Sequence, residues 1–220
     1  MSKTIAILQS NYIPWKGYFD LVRSVDEFVI LDSVQFTKND WRNRNRIRAA
    51  NGAAWLTIPI KTAGRFAQKI AEAEVSDARW ARRHWRTIAQ HYARAPHFRR
   101  YAEEVEAAYD RAAGEMRLSR INRLFLDLVC GWLRIETAIS SSQCYPDHPD
   151  RVERLIAICR AAGAERYLSG PKARAYIDPR RFEEAGIQVE FRDYSAYYRE
   201  MPALSMMDRV LHQGAEAAWR

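Results

Sequence analysis

The sequence predicts an α/β protein with a small, mostly parallel, Rossmann-like sheet and a central helical insert. Three observations predict it. Two short apolar runs, TIAILQ and EFVIL, flank a turn and a short helical pattern near the start. A long stretch of helical periodicity fills the middle. The last third then returns to alternating strand-like and helix-like segments.

Thr4 to Gln9 is a short apolar run of the kind that suits a buried parallel strand. Asn11, Pro14 and Gly17 punctuate it. The periodic stretch from Trp15 to Arg23 then predicts a short helix whose Phe19, Leu21 and Val22 cover a sheet. Glu27 to Leu31 is a second strand, ending at Asp32, so the segment reads as a βαβ unit. The loops leaving both strands then share one rim, where α/β proteins hold ligands. Asn39 to Arg48 is too polar for core. AAWLTIPI (Ala53 to Ile60) is strand-like and, with Asn45 to Ala49, predicts a hairpin about an Asn51-Gly52 turn, and a further short strand is expected around Ile70 to Val75.

From Asp77 to Trp132 the chain reads as three helices, broken at Ala95-Pro96 and near Gly114. Glu136 to Ser141 is strand-like, and Asp150 to Ala162 is an amphipathic helix stopped by Gly163. Arg166 to Leu168 is a strand opening into SGPKAR, and Gly186 to Tyr194 is one more. The expected division is residues 1–76 as an N-terminal α/β part, 77–134 as the helical insert, and 135–220 as a C-terminal part completing the sheet.

A chain of 220 residues with 48% hydrophobic residues and seven tryptophans has the means to bury a sizeable core, which excludes a disordered protein. No apolar run reaches the roughly 18 residues of a membrane span. Cys130, Cys144 and Cys159 show no CxxC spacing, and MSKT leads straight into a strand, so free thiols in the cytoplasm are expected. No metal-ligand motif is present; His84 and His91 lie seven apart rather than four. The net charge of +8 suits phosphorylated or nucleotide-linked small molecules, anionic headgroups or nucleic acid. The lack of any RNA-binding signature sets nucleic acid behind the small molecules. Homo-oligomerisation is left open.

The candidate site residues fall in two blocks. Gln9 and Asn11 leave the first strand with amides that hydrogen-bond a ligand or satisfy the loop. Trp15, Lys16 and Tyr18 open the following helix. Asp32, at a strand end, is a candidate base or sugar-diol ligand, and otherwise a cap or a partner for Arg42 or Arg44. Gln35, Lys38, Trp41, Arg42, Asn43, Arg44 and Asn45 follow it. Arg42, Arg44, Arg46 and Arg48 alternate, so an extended chain shows them on one face as an anion site or a charged edge. His84 is the near candidate for a general base at neutral pH, and otherwise a core histidine. In the second block, Ser169, Gly170, Lys172 and Arg174 form a glycine-containing turn opening a helix, which suits an anion.

The words QSNYIPWKGYFDL, FVILDSVQF, WRNRN, WLTIPI, YLSGPKARAYID and SMMDRVLHQG stand here in one order. Together they resemble the WbqC-like family over almost the whole chain, with Ser10 where the family pattern has proline and a more divergent final block. The resemblance implies a bacterial protein encoded near cell-surface polysaccharide (O-antigen) genes. A weaker likeness is to the nucleotidylyltransferase and pantothenate synthetase superfamily. Trp15-Lys16-Gly17-Tyr18 stands at the place of its His-x-Gly-His turn, without either histidine, and Ser169 to Arg174 at the place of its late phosphate-closing turn.

The function expected is a transferase acting on a nucleotide-activated substrate, a nucleotide sugar for O-antigen and lipopolysaccharide synthesis. No cofactor is specified beyond that nucleotide or nucleotide sugar. The alternatives are a non-catalytic accessory protein, or an RNA-binding protein, on a degenerate nucleotidyltransferase-like fold.

Overall fold

The first run becomes strand β1 (Thr4–Leu8), with Ile5, Ala6 and Ile7 buried. A computed structural model describes residues 2–195, 197 and 204–219 of the chain. Helix α1 (Lys16–Arg23) follows, then β2 (Glu27–Ile30), every residue of which is buried. β1 and β2 pair in parallel from Ile5–Glu27 to Leu8–Ile30. The ladder is extended at its start by Thr4 N donating to the Asp26 carboxylate at 2.8 Å and Asp26 N donating to Thr4 O at 3.0 Å.

β5 (Ala138–Ser141), β6 (Arg166–Ser169) and β7 (Gln188–Phe191) complete a five-stranded sheet of order β5-β2-β1-β6-β7. Its four strand pairings are all parallel. This is the Rossmann-like α/β architecture that the alternating pattern predicts. Helix α5 (Arg151–Ala161) joins β5 to β6. Asp150 caps it by accepting from Val152 N and Glu153 N at 2.9 Å, and Gly163, at φ +65°, ends it in the left-handed region where glycine is unstrained. The short helix α6 (Pro179–Glu183) starts at Asp178, which accepts from Arg180 N.

At the N-terminal edge of the sheet, Glu27 is 7% exposed. Lys3 Nζ lies 2.7 Å away, Ser140 Oγ donates at 2.5 Å, and Tyr145 also donates to the same carboxylate. Burial pulls its pKa upward, but these donors outweigh it and hold the carboxyl below its ordinary range.

The chain gathers into two units. The first holds the sheet and comprises residues 1–9, 17–33 and 135–201; the second comprises 10–16, 34–134 and 202–220. The segment 77–134 therefore lies wholly in the second unit, while 1–76 and 135–220 each contribute to both.

The second unit is built on the hairpin β3 (Arg44–Ala49) and β4 (Gly52–Thr57), antiparallel from Arg44–Thr57 to Ala49–Gly52. The turn falls on Ala50 and Asn51, one residue earlier than expected, and Gly52, at φ +112°, opens β4 in a conformation that glycine adopts without strain. Helices α2 (Trp80–Tyr92), α3 (Phe98–Ala113) and α4 (Leu118–Trp132) bury faces spaced at the helical period, as in Tyr101, Val105, Ala108 and Ala112. The strand expected around Ile70 to Val75 is not formed. Ile70–Glu72 is a 3-10 turn, and Val75 and Glu74 make only isolated bridges to Ile60 and Arg117. Glu72 N and Ala73 N bond within the turn, while Ile70 N and Val75 N reach the carbonyls of two different segments, Val34 and Met116, so no single neighbour forms a ladder.

Helix α7 (Met206–Gln213) carries Asp208, which is fully buried. Arg48 Nε and Nη2 grip both of its oxygens at 3.1 Å, and Tyr92 OH donates to it at 2.8 Å. Removing one partner of a buried ion pair leaves an uncompensated charge. Arg48→Met is therefore expected to cost roughly 3 kcal/mol in urea unfolding, against about 1 kcal/mol for Tyr92→Phe, which removes one hydrogen bond.

Candidate functional site

All five strands run the same way, so their C-terminal ends share one edge of the sheet unit. Gln9 follows β1, Asp32 follows β2, and Ser169-Gly170 close β6. From β1 the chain proceeds outward through β2 and β5, then returns to the other side of β1 as β6 and β7. The topological switch point therefore lies between β1 and β6. The ladder is shortest there: β1 pairs with β6 only through Thr4–Arg166 and Ile5–Tyr167, whereas it follows β2 as far as Leu8–Ile30. Beyond Ile5 and Tyr167, each strand continues on its outer partner, β6 reaching Ser169–Phe191 on β7.

Around this switch point, Gln9 is half-buried and its carbonyl accepts from Tyr18 OH at 3.2 Å. Ser169 is buried, with its Oγ 3.2 Å from Tyr167 OH, and its carbonyl accepts from Arg192 N at 2.8 Å. The segment after Gly170 is a five-residue 3-10 turn (Pro171–Ala175), not the α-helix expected. Proline at its first position and the capped start of α6 so soon after leave no room for a longer helix. Lys172 and Arg174 are exposed on it. The Arg174 guanidinium lies 4.8 Å from the Phe191 ring centre, and that of Arg151 lies 3.3 Å from that of Tyr176. None of these three cations forms an ion pair with a carboxylate among the described residues. By contrast Arg154, Arg166 and Arg181 all do. Asp32 is 4% exposed, and its neighbour Ser33 accepts from Ser142 Oγ at 3.2 Å.

The family of the chain follows from comparison. The model of the WbqC-like protein family matches residues 9–219. The chain belongs to the WbqC-like protein family. The uncharacterized protein Rv1507c of Mycobacterium tuberculosis is similar to it, 43% identical over 222 residues, covering 98% of this chain and 96% of the relative. No solved structure matches the chain. No helix among the described residues is long and apolar enough to cross a membrane.

The remaining candidates of this WbqC-like protein lie in the second unit, where hydrogen bonds occupy many of them. Arg42 donates to Asn11 Oδ1 and lies 3.5 Å from Asp40. Asn45, 1% exposed, donates to Tyr12 O at 3.0 Å and Ile13 O at 2.9 Å, and accepts from Arg46 N at 2.7 Å. Ile13 stands at φ +37°, a strained value for a β-branched residue, and these bonds brace it. Asn43 is buried, donating to Ile58 O. Gln35 donates to Phe66 O, Trp15 bridges to Ser205, and Lys16 Nζ lies 5.7 Å from the Trp219 ring centre. Lys38 is exposed. Trp41 and Arg44 lie on the outer surface of the hairpin region.

His84 is in the core. Its Nδ1 is 2.9 Å from Tyr12 OH, which is 2.5 Å from Tyr109 OH, and Trp80 packs edge-on at 5.1 Å. Burial pushes its pKa down to about 4, against a smaller upward pull from a hydrogen bond to the Thr57 backbone. It is neutral at pH 7. Cys130 and Cys159 are buried and pushed up to about 12 by desolvation, so neither is a thiolate near neutral pH.

Sequence reading missed Asn122, Arg151 and Trp55. Asn122 was legible as one polar residue among Leu118, Ile121, Phe125 and Leu126 on the apolar face of α4; it donates to Ser10 Oγ and Arg42 O at 2.9 Å. Arg151 had no local signal, since it meets Tyr176 only through the fold.

Two outcomes follow. The depressed His84 pKa means that its contribution to stability is complete above about 6.5. It is lost as pH falls toward 4, because the unfolded chain takes the proton first. The gap corresponds to roughly 3 kcal/mol, so His84→Gln should show a smaller acid loss than the parent in urea unfolding between pH 7 and pH 4. Asn45→Ala should lower stability by about 2–4 kcal/mol, because two buried carbonyls lose their donor; an unchanged melting temperature would overturn the bracing role.

Proposed function

We propose that this WbqC-like protein is a group-transfer enzyme acting on a nucleotide-activated substrate, a nucleotide sugar used in bacterial cell-surface polysaccharide (O-antigen) synthesis. One observation carries the reading: the strand order reverses between β1 and β6, whose C-terminal ends lead into Gln9 and a turn bearing Lys172 and Arg174, with Asp32 on the same edge. Ligands of open α/β sheets lie at such a point. When a nucleotide-activated group is transferred, negative charge grows on the departing phosphate oxygens, and cations already in place stabilise it without reorganising.

In this reading Lys172 and Arg174 hold the phosphates and the Gln9 amide orients the substrate. Asp32 moves the proton of the acceptor. His84, held among Tyr12, Trp80 and Tyr109, keeps its part in the core. Family membership supports the polysaccharide context, and the buried thiols suit a cytoplasmic location, where such substrates are made.

A thermal-shift screen of nucleotides and nucleotide sugars tests the substrate class. A ligand at 100 times its dissociation constant should add roughly 2.7 kcal/mol of stability, and no shift across the set would overturn the proposal. Arg174→Lys keeps the charge but loses both the planar fork and the face stacked on Phe191. Calorimetric titration with the best ligand should show affinity weakened by about 1.5–3 kcal/mol at an unchanged melting temperature. Unchanged affinity with a lowered melting temperature would make Arg174 structural.

A further inference from the structure

The β3–β4 hairpin carries a second surface that the sheet edge does not explain. Its inner face is closed: Asn45, Ile47 and Leu56 are buried. Its outer face pairs Arg46 directly with Trp55, with Arg44 two residues along. Trp55 is 46% exposed, one of three large apolar side chains so exposed among the described residues. The Trp41 ring lies 5.6 Å from it, tilted by 34°. The Arg44 guanidinium lies 4.3 Å from the Trp55 ring centre, and that of Arg46 lies 5.5 Å from Trp55 and 5.9 Å from Trp41. Two indoles and two guanidinium groups thus alternate in one strip.

Two features separate this strip from a merely charged hairpin. Charges that protect a hairpin from aggregation act at its open edges, whereas these side chains stand on its face. Arg48, next along the same face, is neutralised by Asp208. Arg44 has no carboxylate partner among the described residues, and its buried Nε has no hydrogen-bond partner. A half-exposed indole with an unneutralised guanidinium over its ring is complementary to a flat π-system attached to an anion. A neutral sugar would use the ring and leave the charge unanswered. Every nucleobase offers a stacking face, and its phosphate answers the arginine.

We infer that the Trp41–Trp55–Arg44–Arg46 strip binds a nucleobase together with its phosphate, supplied by single-stranded nucleic acid or by a free nucleotide. This surface is independent of the switch-point reading and stands or falls apart from it.

The test is fluorescence anisotropy of the full chain with labelled oligouridylate, and calorimetric titration with uridine monophosphate, each at two salt concentrations. Trp55→Ala should weaken binding by about tenfold or more, and Arg44→Gln should lower the salt slope by about one. Arg160→Gln, at an exposed arginine of α5 outside both surfaces, should leave both unchanged. Tighter binding of the oligomer identifies nucleic acid as the source, and equal binding of the monophosphate identifies the free nucleotide. Trp55→Phe, which keeps a stacking face, should retain most of the affinity and controls for misfolding of the alanine variant. Absence of saturable binding to both probes would overturn the inference, as would Trp55→Ala binding as tightly as the parent. Binding lost in Arg174→Ala but kept in Trp55→Ala would also overturn it, and would assign the nucleotide to the sheet edge instead.

Discussion

β1 is hydrogen-bonded in parallel on both sides, to β2 and to β6, and the arrangement of the sheet unit depends on that double pairing. A central parallel strand must be apolar on both faces, which Ile5, Ala6 and Ile7 satisfy. Parallel neighbours also require crossover connections, so the loops that leave the strands collect at one edge and the returning segments at the other. The two edges are then free to differ. At one, Lys3, Ser140 and Tyr145 converge on a buried carboxylate, Glu27. At the other, the strand order reverses between β1 and β6, and the turn after β6 carries Lys172 and Arg174.

Arginine dominates the positive charge of this chain, and the structure sorts its arginines by what holds them. One set is answered by carboxylates, as Arg48 is by Asp208 and Arg181 by Asp150 and Glu153. A second set is held over aromatic rings: Arg151 over Tyr176, Arg174 over Phe191 and Arg44 over Trp55. Stacking fixes the plane of a guanidinium while leaving its N–H edge unused, and lysine cannot do this. The distinction matters for recognition, because a paired arginine has spent its hydrogen bonds and a stacked one has not.

The second unit owes its order to polar groups placed inside it. Asn45 braces the strained backbone at Ile13 from two carbonyls, and Tyr12 reaches His84 and Tyr109. Burial raises the Tyr12 phenol well above its ordinary range, as well as that of Tyr109, so both hydroxyls keep their protons. Such a cluster tolerates few alternative packings, since every shift strands a buried polar atom.

What the sequence determined by itself was whatever local pattern dictates. The apolar run of β1, the helical spacing of Trp80, His84 and Ile88 and the Gly163 stop are each written within a few residues, and each became the element expected; the hairpin turn formed one residue before Asn51-Gly52. The alternation of Arg44, Arg46 and Arg48 likewise set them on one face of β3. Ile70 to Val75 misled because a short alternating hexamer (IAEAEV) carries no information about whether a partner strand will be beside it. Only the tertiary structure decided what the polar residues do. Asn43 and Asn45 were legible as a cluster, but whether an amide meets a ligand or a backbone carbonyl depends on segments far along the chain. For Asn45 that segment is 32 residues away, and for Tyr12 and His84 it is 72. The order β5-β2-β1-β6-β7, and with it the switch point beside Ser169, rests on β6 joining β1 across 157 intervening residues. No local period encodes that choice; burial of both faces of β1 does.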